Sequence, residues 1–140
     1  MNLRLKSRFP HWIMLYHYTF NTYKNKCILI DGDVLSFLKG IFYQIACEKG
    51  FQIIECEILS DHVHMLIDQE DGIEASFVMK NIKGISSRRL FQKYNVNRYE
   101  FRKLWARSYN VRKVDDSQRS VAVGYIKSQK SETGIDKRFV

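Results

Sequence analysis

Two short runs of alternating side chains, separated only by Ser60 and Asp61, constrain the fold of this chain most. Residues 51–59 (FQIIECEIL) and 62–68 (HVHMLID) place apolar side chains at roughly every second position. A period of two is typical of β-strands with one buried face. A connection this short allows only a tight turn, so the two runs predict a β-hairpin within an antiparallel sheet.

The chain before this hairpin shows a strand pattern and then a helix pattern. The aromatic-rich run at 12–20 (WIMLYHYTF) predicts a first strand. Asp33 is placed to cap a helix that Gly50 ends. The apolar residues of this helix recur at helical spacing at Val34, Leu38, Ile41, Phe42 and Ile45.

The chain after the hairpin continues the alternation. Residues 73–94 are amphipathic and predict a second long helix, and 104–111 (LWARSYNV) predicts a fourth strand. Asp115-Asp116-Ser117 is an N-terminal helix signal before a last helix at 118–130. The order βαββαβ predicts an α+β, ferredoxin-like fold with an antiparallel sheet and both long helices on one face. We expect the other face of the sheet to stay open.

Length and composition limit what such a chain can be. At 140 residues the chain is expected to form a single domain over 1–140. No apolar run approaches the roughly 18 residues of a membrane span, and the first residues lack a secretory signal pattern, so we expect a cytoplasmic protein with no membrane partner. Cys27, Cys47 and Cys56 form no CxxC pair and are expected to be small core residues.

The charge balance points to a class of partner. Lys and Arg number 23 against 15 Asp and Glu, which gives a net charge of +8. An excess of this size is typical of proteins that bind nucleic acid. Charge alone is equally compatible with a solvated cationic surface.

His62 and His64 are candidate metal ligands. On a strand they project to the same side, about 7 Å apart, while Val63, Met65 and Ile67 face the other way. The apolar triplet is expected to face the helices, which leaves both imidazoles on the open face. Two imidazoles can bind one divalent cation if a third ligand approaches. The alternative is a pair of histidines on a half-exposed strand, with no metal.

Tyr125 and Gln129 are a second pair of candidates. They lie four residues apart in the predicted last helix, so the phenol and the amide share one helix face. Gly124, inside the helix, suggests a close approach to another group. The alternative is that Tyr125 is a core aromatic beside Val121 and Ile126.

Four segments together carry a family resemblance, namely LSDHVHMLID, NIKGISSRRLF, LWARSYNV and GYIKSQ. In this order and at these distances they resemble the HUH-type single-tyrosine transposases of small insertion sequences, usually called TnpA. The resemblance covers roughly Tyr16 to Gln129. The chain departs from the family in having Ser60-Asp61-His62 where Pro-Asp-His is usual, and Lys127 where an acidic residue is common.

The resemblance implies a metal-dependent enzyme acting on single-stranded DNA. His62, His64 and Gln129 would bind Mg²⁺ or Mn²⁺, and Tyr125 would be the nucleophile. Tyr125 would attack a scissile phosphodiester at an insertion-sequence end, leaving a 5′-phosphotyrosine link and a free 3′-hydroxyl that can later reverse the reaction. No ATP would be needed.

The resemblance also implies a homodimer, because one tyrosine per chain must serve two DNA ends. Family members carry the tyrosine helix into the partner's site, and residues 113–116 lie where a hinge for that helix would be. We therefore expect a composite site, with His62 and His64 from one subunit and Tyr125 and Gln129 from the other.

The second long helix carries the candidate DNA contacts. Its basic and hydroxyl side chains suit the positioning of phosphates, and in the family this region meets a DNA hairpin. Each residue could instead be a solvated surface group. The candidates are Lys80, Lys83, Ser87, Arg88, Arg89 and Lys93.

Other functions remain open at this point. A related HUH nickase of the replication or conjugation type, or a domesticated relative that processes chromosomal repeats, would use a similar site. A ferredoxin-like module that only binds single-stranded nucleic acid is a further alternative, although no segment matches the RNP1 pattern. A histidine phosphoesterase is disfavoured because no second HxT/S motif and no histidine after His64 is present.

Overall fold

A computed structural model of the protein describes residues 14–26, 31–94 and 103–133. The regular elements are β1 at Leu15–Asn21, α1 at Gly32–Lys49, β2 at Gln52–Ile58, β3 at His62–Asp68, α2 at Ala75–Tyr94, β4 at Asn110–Val114 and α3 at Arg119–Thr133. Short 3₁₀ helices at Tyr23–Asn25 and Asp116–Gln118 follow β1 and β4. None of the described helices is long and apolar enough to cross a membrane.

The four strands form one antiparallel sheet in the order β2-β3-β1-β4. The predicted hairpin joins β2 to β3, and Leu59 N donates to His62 O at 2.8 Å across the turn. β3 and β1 are the two central strands, each with a hydrogen-bonded neighbour on both sides. The sheet order and the two helices that follow β1 and β3 confirm the ferredoxin-like prediction.

One face of the sheet is covered by α1 and α2 and holds the main core. Val63, Met65 and Ile67 of β3 are fully buried there, as the alternation along this strand predicts. From β1, the Phe20 ring lies 4.9 Å from that of Trp105, centroid to centroid, in an edge-to-face arrangement. Such aromatic pairs add to the free energy of burial.

The opposite face of the sheet is partly covered by α3. Leu15, Leu66 and Val114 on the sheet pack against Ala122 and Ile126 of this helix. The prediction that this face stays open is therefore wrong where α3 lies. The physical reason is that alternation leaves apolar side chains on this face too, and an amphipathic last helix buries them.

The predicted fourth strand is displaced along the chain. The sequence favoured 104–111, whereas β4 runs from Asn110 to Val114. Leu104 and Trp105 are buried in the core instead, and Trp105 Nε1 donates to Ser86 Oγ at 2.9 Å. The apolar residues at 104–105 reflect this burial, and Trp105 also forms an isolated β-bridge with Thr22. β4 itself is largely exposed and polar.

The first long helix begins two residues earlier than Asp33 suggests. Asp31 is its N-cap, and the Asp31 carboxylate accepts from Asp33 N at 2.8 Å and from Val34 N at 3.4 Å. Gly50 ends the helix as predicted, with a φ of 86° that favours glycine. The last helix has the predicted start signal, because the Asp115 carboxylate accepts from Ser117 N.

The cysteines have different environments. Cys56 is buried in the main core, as predicted, and burial raises the pKa of its thiol to about 12. Cys47 is exposed on α1, so its assignment to the core is wrong. The prediction for Cys27 concerns a residue outside the described ranges.

The two aspartates at the start of α1 allow a test of the cap. We expect Asp31→Ala to lower the free energy of unfolding by about 1 kcal/mol, because two backbone N–H groups lose their acceptor. Asp33→Ala removes the same charge from the same turn but no cap, so its cost is expected to stay under about 0.5 kcal/mol. Urea denaturation of both variants checks this, and an equal loss in both would contradict the assignment.

Candidate active site

The two candidate metal ligands lie side by side on β3. His62 and His64 share the face of the sheet opposite Val63, and their ring centroids are 5.0 Å apart with the planes at 76°. His62 is partly exposed, whereas His64 is buried. The two imidazoles therefore lie on the same side of the strand, as the alternation predicts. His64 is more buried than a residue on an open sheet face would be.

Asp61 holds the His62 ring from the hairpin turn. Its Oδ1 lies 2.9 Å from His62 Nδ1, and the carboxylate is buried. A carboxylate oxygen accepts, so His62 Nδ1 donates and carries the ring proton. The lone pair of a neutral imidazole is then at Nε2, the other ring nitrogen.

The Asp61 backbone also has a structural role. The carbonyl oxygen of Asp61 accepts from Thr22 N at 2.8 Å and joins the turn to the end of β1. The sequence favours a role for Asp61 in the turn and leaves open a role as a partner of a metal-binding histidine. The structure shows both the turn and the contact of the carboxylate with His62.

His64 is held by β1, which is a contact that the sequence did not reveal. His17 Nε2 lies 3.1 Å from His64 Nδ1, and Thr19 Oγ1 lies 3.3 Å from the same nitrogen. The register pairs Thr19 directly with His64 and puts His17 opposite Leu66, so His17 reaches His64 diagonally. His17 can be identified as a contact of His64 only once the register of β1 and β3 is known.

His17 lies in an environment that favours the neutral imidazole. It is 7% exposed, and burial lowers the pKa of its ring from 6.5. Arg112 is paired with His17 across β1 and β4, and its positive charge lowers the pKa further. A neutral ring has one donor and one acceptor nitrogen, so it can exchange one hydrogen bond with His64.

Tyr125 is brought to His64 by α3 within the same chain. The Tyr125 ring lies edge-on to the rings of His17 and His64, with a centroid distance of 6.0 Å to each. Its side chain is 49% exposed, while Ala122 and Ile126 supply the apolar contacts of the helix. The alternative that Tyr125 is a core aromatic is therefore wrong.

Gly124 is not explained by crowding in this chain. A Cβ atom at this position would meet nothing within 4 Å. The close approach that the sequence suggested at Gly124 is thus absent from the described part of the chain.

Gln129 lies one helical turn beyond Tyr125. Its Nε2 donates to Tyr125 O at 3.2 Å, so the amide is oriented along the helix. Among the described residues, no group of three or more His, Cys, Asp or Glu side chains is arranged to hold a metal ion. The described part of the chain thus brings His62 and His64 together without a third ligand of these four types.

The six candidate DNA contacts on α2 have unequal environments. Lys83 Nζ donates to Arg107 O at 3.1 Å and to Ser108 O at 3.2 Å, and burial lowers its pKa. The Arg89 guanidinium donates to Gln44 on α1 at 3.0 Å. Both cationic side chains therefore already make hydrogen bonds within the protein.

The remaining four candidates differ in their exposure, and Ser87 is half-buried like Lys83 and Arg89. Lys93 lies over the Phe37 ring at 5.8 Å, and Ser87 Oγ donates to Gly84 O at 3.3 Å. Lys80 and Arg88 are exposed. Of the six, Lys80, Arg88 and Lys93 are the exposed side chains.

A cationic cavity beside α2 contains residues that the sequence did not single out. It has a volume of about 340 Å³ and lies between α2, the first 3₁₀ helix and residues 103–107. We call it the basic cleft, and its polar side chains belong to Tyr23, Lys83, Ser87, Lys103 and Arg107. Lys103 and Arg107 show no periodic pattern in the sequence, so only the fold brings them to Lys83.

Comparison with known proteins adds family information to this geometry. A family model described as transposase, IS200-like, matches residues 11–129. The chain is 32% identical to the ISDra2 transposase TnpA of Deinococcus radiodurans over 103 residues. This aligned stretch covers 72% of this chain and 74% of that protein. It is also 27% identical to the transposase for insertion sequence element IS200 of Salmonella typhimurium over 130 residues. That alignment covers 91% of this chain and 84% of the relative.

Two solved structures share the fold. A Deinococcus radiodurans protein described as a candidate transposase superposes with a TM-score of 0.71 at 28% identity, covering 88% of this chain and 95% of that one. A REP-associated tyrosine transposase bound to a REP hairpin superposes with a TM-score of 0.64 at 13% identity, covering 91% and 74%. The second likeness concerns the fold alone.

Proposed function

The chain belongs to the family of IS200-like transposases, enzymes that cut and transfer DNA, and on that premise we propose that it works through a covalent tyrosine intermediate. In this proposal it cleaves and rejoins single-stranded DNA at insertion-sequence ends, and Tyr125 forms the bond to DNA. The observation that carries the proposal is the position of the Tyr125 ring, 6.0 Å from the His64 ring and half exposed to solvent.

Tyr125 can act as a nucleophile if its oxygen reaches a phosphodiester. A bond would form between the phenolic oxygen and phosphorus, and the bond from phosphorus to the 3′ oxygen would break. The phenolic proton would pass, overall, to the leaving 3′ oxygen, which becomes a hydroxyl. Because one phosphodiester replaces another, the reverse step can join a new DNA end without ATP.

A divalent cation, Mg²⁺ or Mn²⁺, fits the side chains around Tyr125. The Nδ1 atoms of His62 and His64 are engaged by Asp61 and His17, so the Nε2 atoms are the ones suited to a metal. The Gln129 amide would supply an oxygen. When bound, the ion would polarise the phosphate and stabilise charge on the leaving oxygen. These three ligands are uncharged and would leave the full charge of the cation for that task.

The proposal predicts a metal-dependent covalent adduct on Tyr125. A hairpin-bearing single-stranded oligonucleotide pool with Mn²⁺ should give a DNA-linked protein on a denaturing gel, and mass spectrometry should map the link to Tyr125. Tyr125→Phe should abolish the adduct because it lacks the attacking oxygen, and His64→Ala should abolish it by removing a metal ligand. Tyr43→Phe is the matched control, because Tyr43 is also exposed but lies on α1.

The result could also contradict the proposal. An adduct on another tyrosine would exclude the assigned nucleophile. Salt-dependent binding of the pool with no adduct under Mg²⁺ or Mn²⁺ would favour a protein that only binds nucleic acid.

We further propose that the enzyme is a homodimer that exchanges α3 between subunits. Two DNA ends need two tyrosines, and each chain supplies one Tyr125. The contacts of Tyr125 with His17 and His64 occur within one chain here. Of the predicted hinge at 113–116, Lys113 and Val114 belong to β4, so a partner's α3 could make the same contacts if the connection at 115–118 opened. The composite site thus differs from the observed one only in which chain supplies the helix.

Mixing two inactive variants tests this exchange. His64→Ala and Tyr125→Phe proteins should each be inactive, and an equal mixture should regain roughly a quarter of wild-type adduct, since half the dimers are mixed and each has one intact composite site. The adduct should be on the His64→Ala chain, which a size tag identifies. A mixture that stays inactive would mean that Tyr125 acts only within its own chain.

We propose that the DNA backbone runs along α2 and the basic cleft. Lys80 and Arg88 are exposed, and Lys83, Ser87, Lys103 and Arg107 meet around a cavity of about 340 Å³. Cations and hydroxyls are the groups that contact phosphates in most complexes. A hairpin is the form of DNA that we propose, by analogy with the fold neighbour bound to a REP hairpin.

Two adjacent arginines give a matched test of this surface. Arg88→Ala should weaken binding of a hairpin oligonucleotide and reduce the slope of log affinity against log salt by about one, because one phosphate contact is lost. Arg89→Ala removes the same charge but from a guanidinium that already contacts Gln44, so its salt slope should stay close to that of wild type. Fluorescence anisotropy over a salt series measures both, and equal slopes for the two variants would contradict the proposed path.

A further inference from the structure

His17 is the buried group whose contacts the proposed reaction leaves unexplained. It lies on β1, 7% exposed, and its Nε2 is 3.1 Å from His64 Nδ1. Its ring is also 6.0 Å from that of Tyr125. A polar ring in such a place is stable only with a hydrogen-bond partner, and the structure gives it His64.

The hydrogen bond between the two imidazoles holds a single proton. Either His17 Nε2 donates to His64 Nδ1, or His64 Nδ1 donates to His17 Nε2. In the first case the His64 proton is on Nε2, which cannot then bind a metal. In the second case Nδ1 carries the proton, and the lone pair of Nε2 is available.

We propose that His17 is the positioning residue for His64, its Nε2 accepting a hydrogen bond from His64 Nδ1–H so that the lone pair of His64 Nε2 is directed at the metal. This inference rests on the metal site of the proposed function. Asp61 makes the equivalent contact with His62, at 2.9 Å to Nδ1. The two metal ligands are therefore held in the same way by groups from two different elements, the hairpin turn and β1.

Thr19 contributes less to this arrangement than His17. Its hydroxyl is 3.3 Å from His64 Nδ1, a longer contact than that of His17. A hydroxyl can donate as well as accept, so Thr19 alone does not fix which nitrogen of His64 carries the proton. When the proton of the neutral His17 ring is on Nδ1, His17 Nε2 can only accept a hydrogen bond. His17 then requires the proton of His64 to be on Nδ1.

Two amide variants of His17 separate positioning from packing. Gln places its amide near the position of Nε2 and can accept from His64, whereas Asn is one methylene shorter and does not reach. Binding of Mn²⁺ to the full-length protein without DNA is measured by electron paramagnetic resonance, and thermal unfolding is followed for each variant. His64→Ala and Thr19→Val complete the set.

We expect His17→Asn to weaken Mn²⁺ binding by ~10-fold to 100-fold, as is usual when the partner of a metal-bound histidine is lost. His17→Gln should stay within about 3-fold of wild type with a similar melting temperature. Thr19→Val should lose less than His17→Asn, and His64→Ala should lose binding altogether.

Other results overturn the inference. Wild-type affinity in both amide variants, while His64→Ala fails to bind, would leave the metal site intact and exclude a role for His17. Equal losses in both variants with equal drops in melting temperature would make His17 a purely structural residue. Failure of the wild-type protein to bind Mn²⁺ would instead overturn the proposed metal site, and this inference with it.

Discussion

The antiparallel pairing of β1 with β3 is the constraint on which the site depends. Its register sets Thr19 opposite His64 and brings His17 within 3.1 Å of the same ring. Because side chains alternate, this pairing also fixes what lies beneath the site, where Val63 and Met65 are fully buried against α1 and α2. A shift of one residue would move both histidines of β3 into the apolar core, where imidazoles without partners are costly.

The second constraint is the packing of α3 on the other face of the sheet. Ala122 and Ile126 bury a small apolar cluster there, and this contact carries Tyr125 to the histidines. The cluster is much smaller than the core under α1 and α2, so less free energy holds this helix in place. A helix held by so small an interface suits the proposed exchange of α3 between subunits.

Much of this fold could be predicted from the sequence, because it depends on local periodicity. The hairpin, both long helices and the facing of Val63, Met65 and Ile67 follow from patterns of two or 3.6 residues. The start of β4 could not be predicted, because the apolar side chains of Leu104 and Trp105 pack in the core and do not belong to this strand. For the site, spacing singled out His62 and His64, but His17 and Lys103 depend on contacts between distant segments, which no local pattern records.

We propose above that His62 and His64 form a metal centre next to Tyr125. Its most direct test is a crystal of the protein grown with Mn²⁺, in which the anomalous scattering of manganese locates the ion. We expect one anomalous peak bonded to Nε2 of both histidines, with the Gln129 amide oxygen as the third protein ligand and Tyr125 alongside. A peak bonded to neither histidine, or none at all at saturating Mn²⁺, would contradict it.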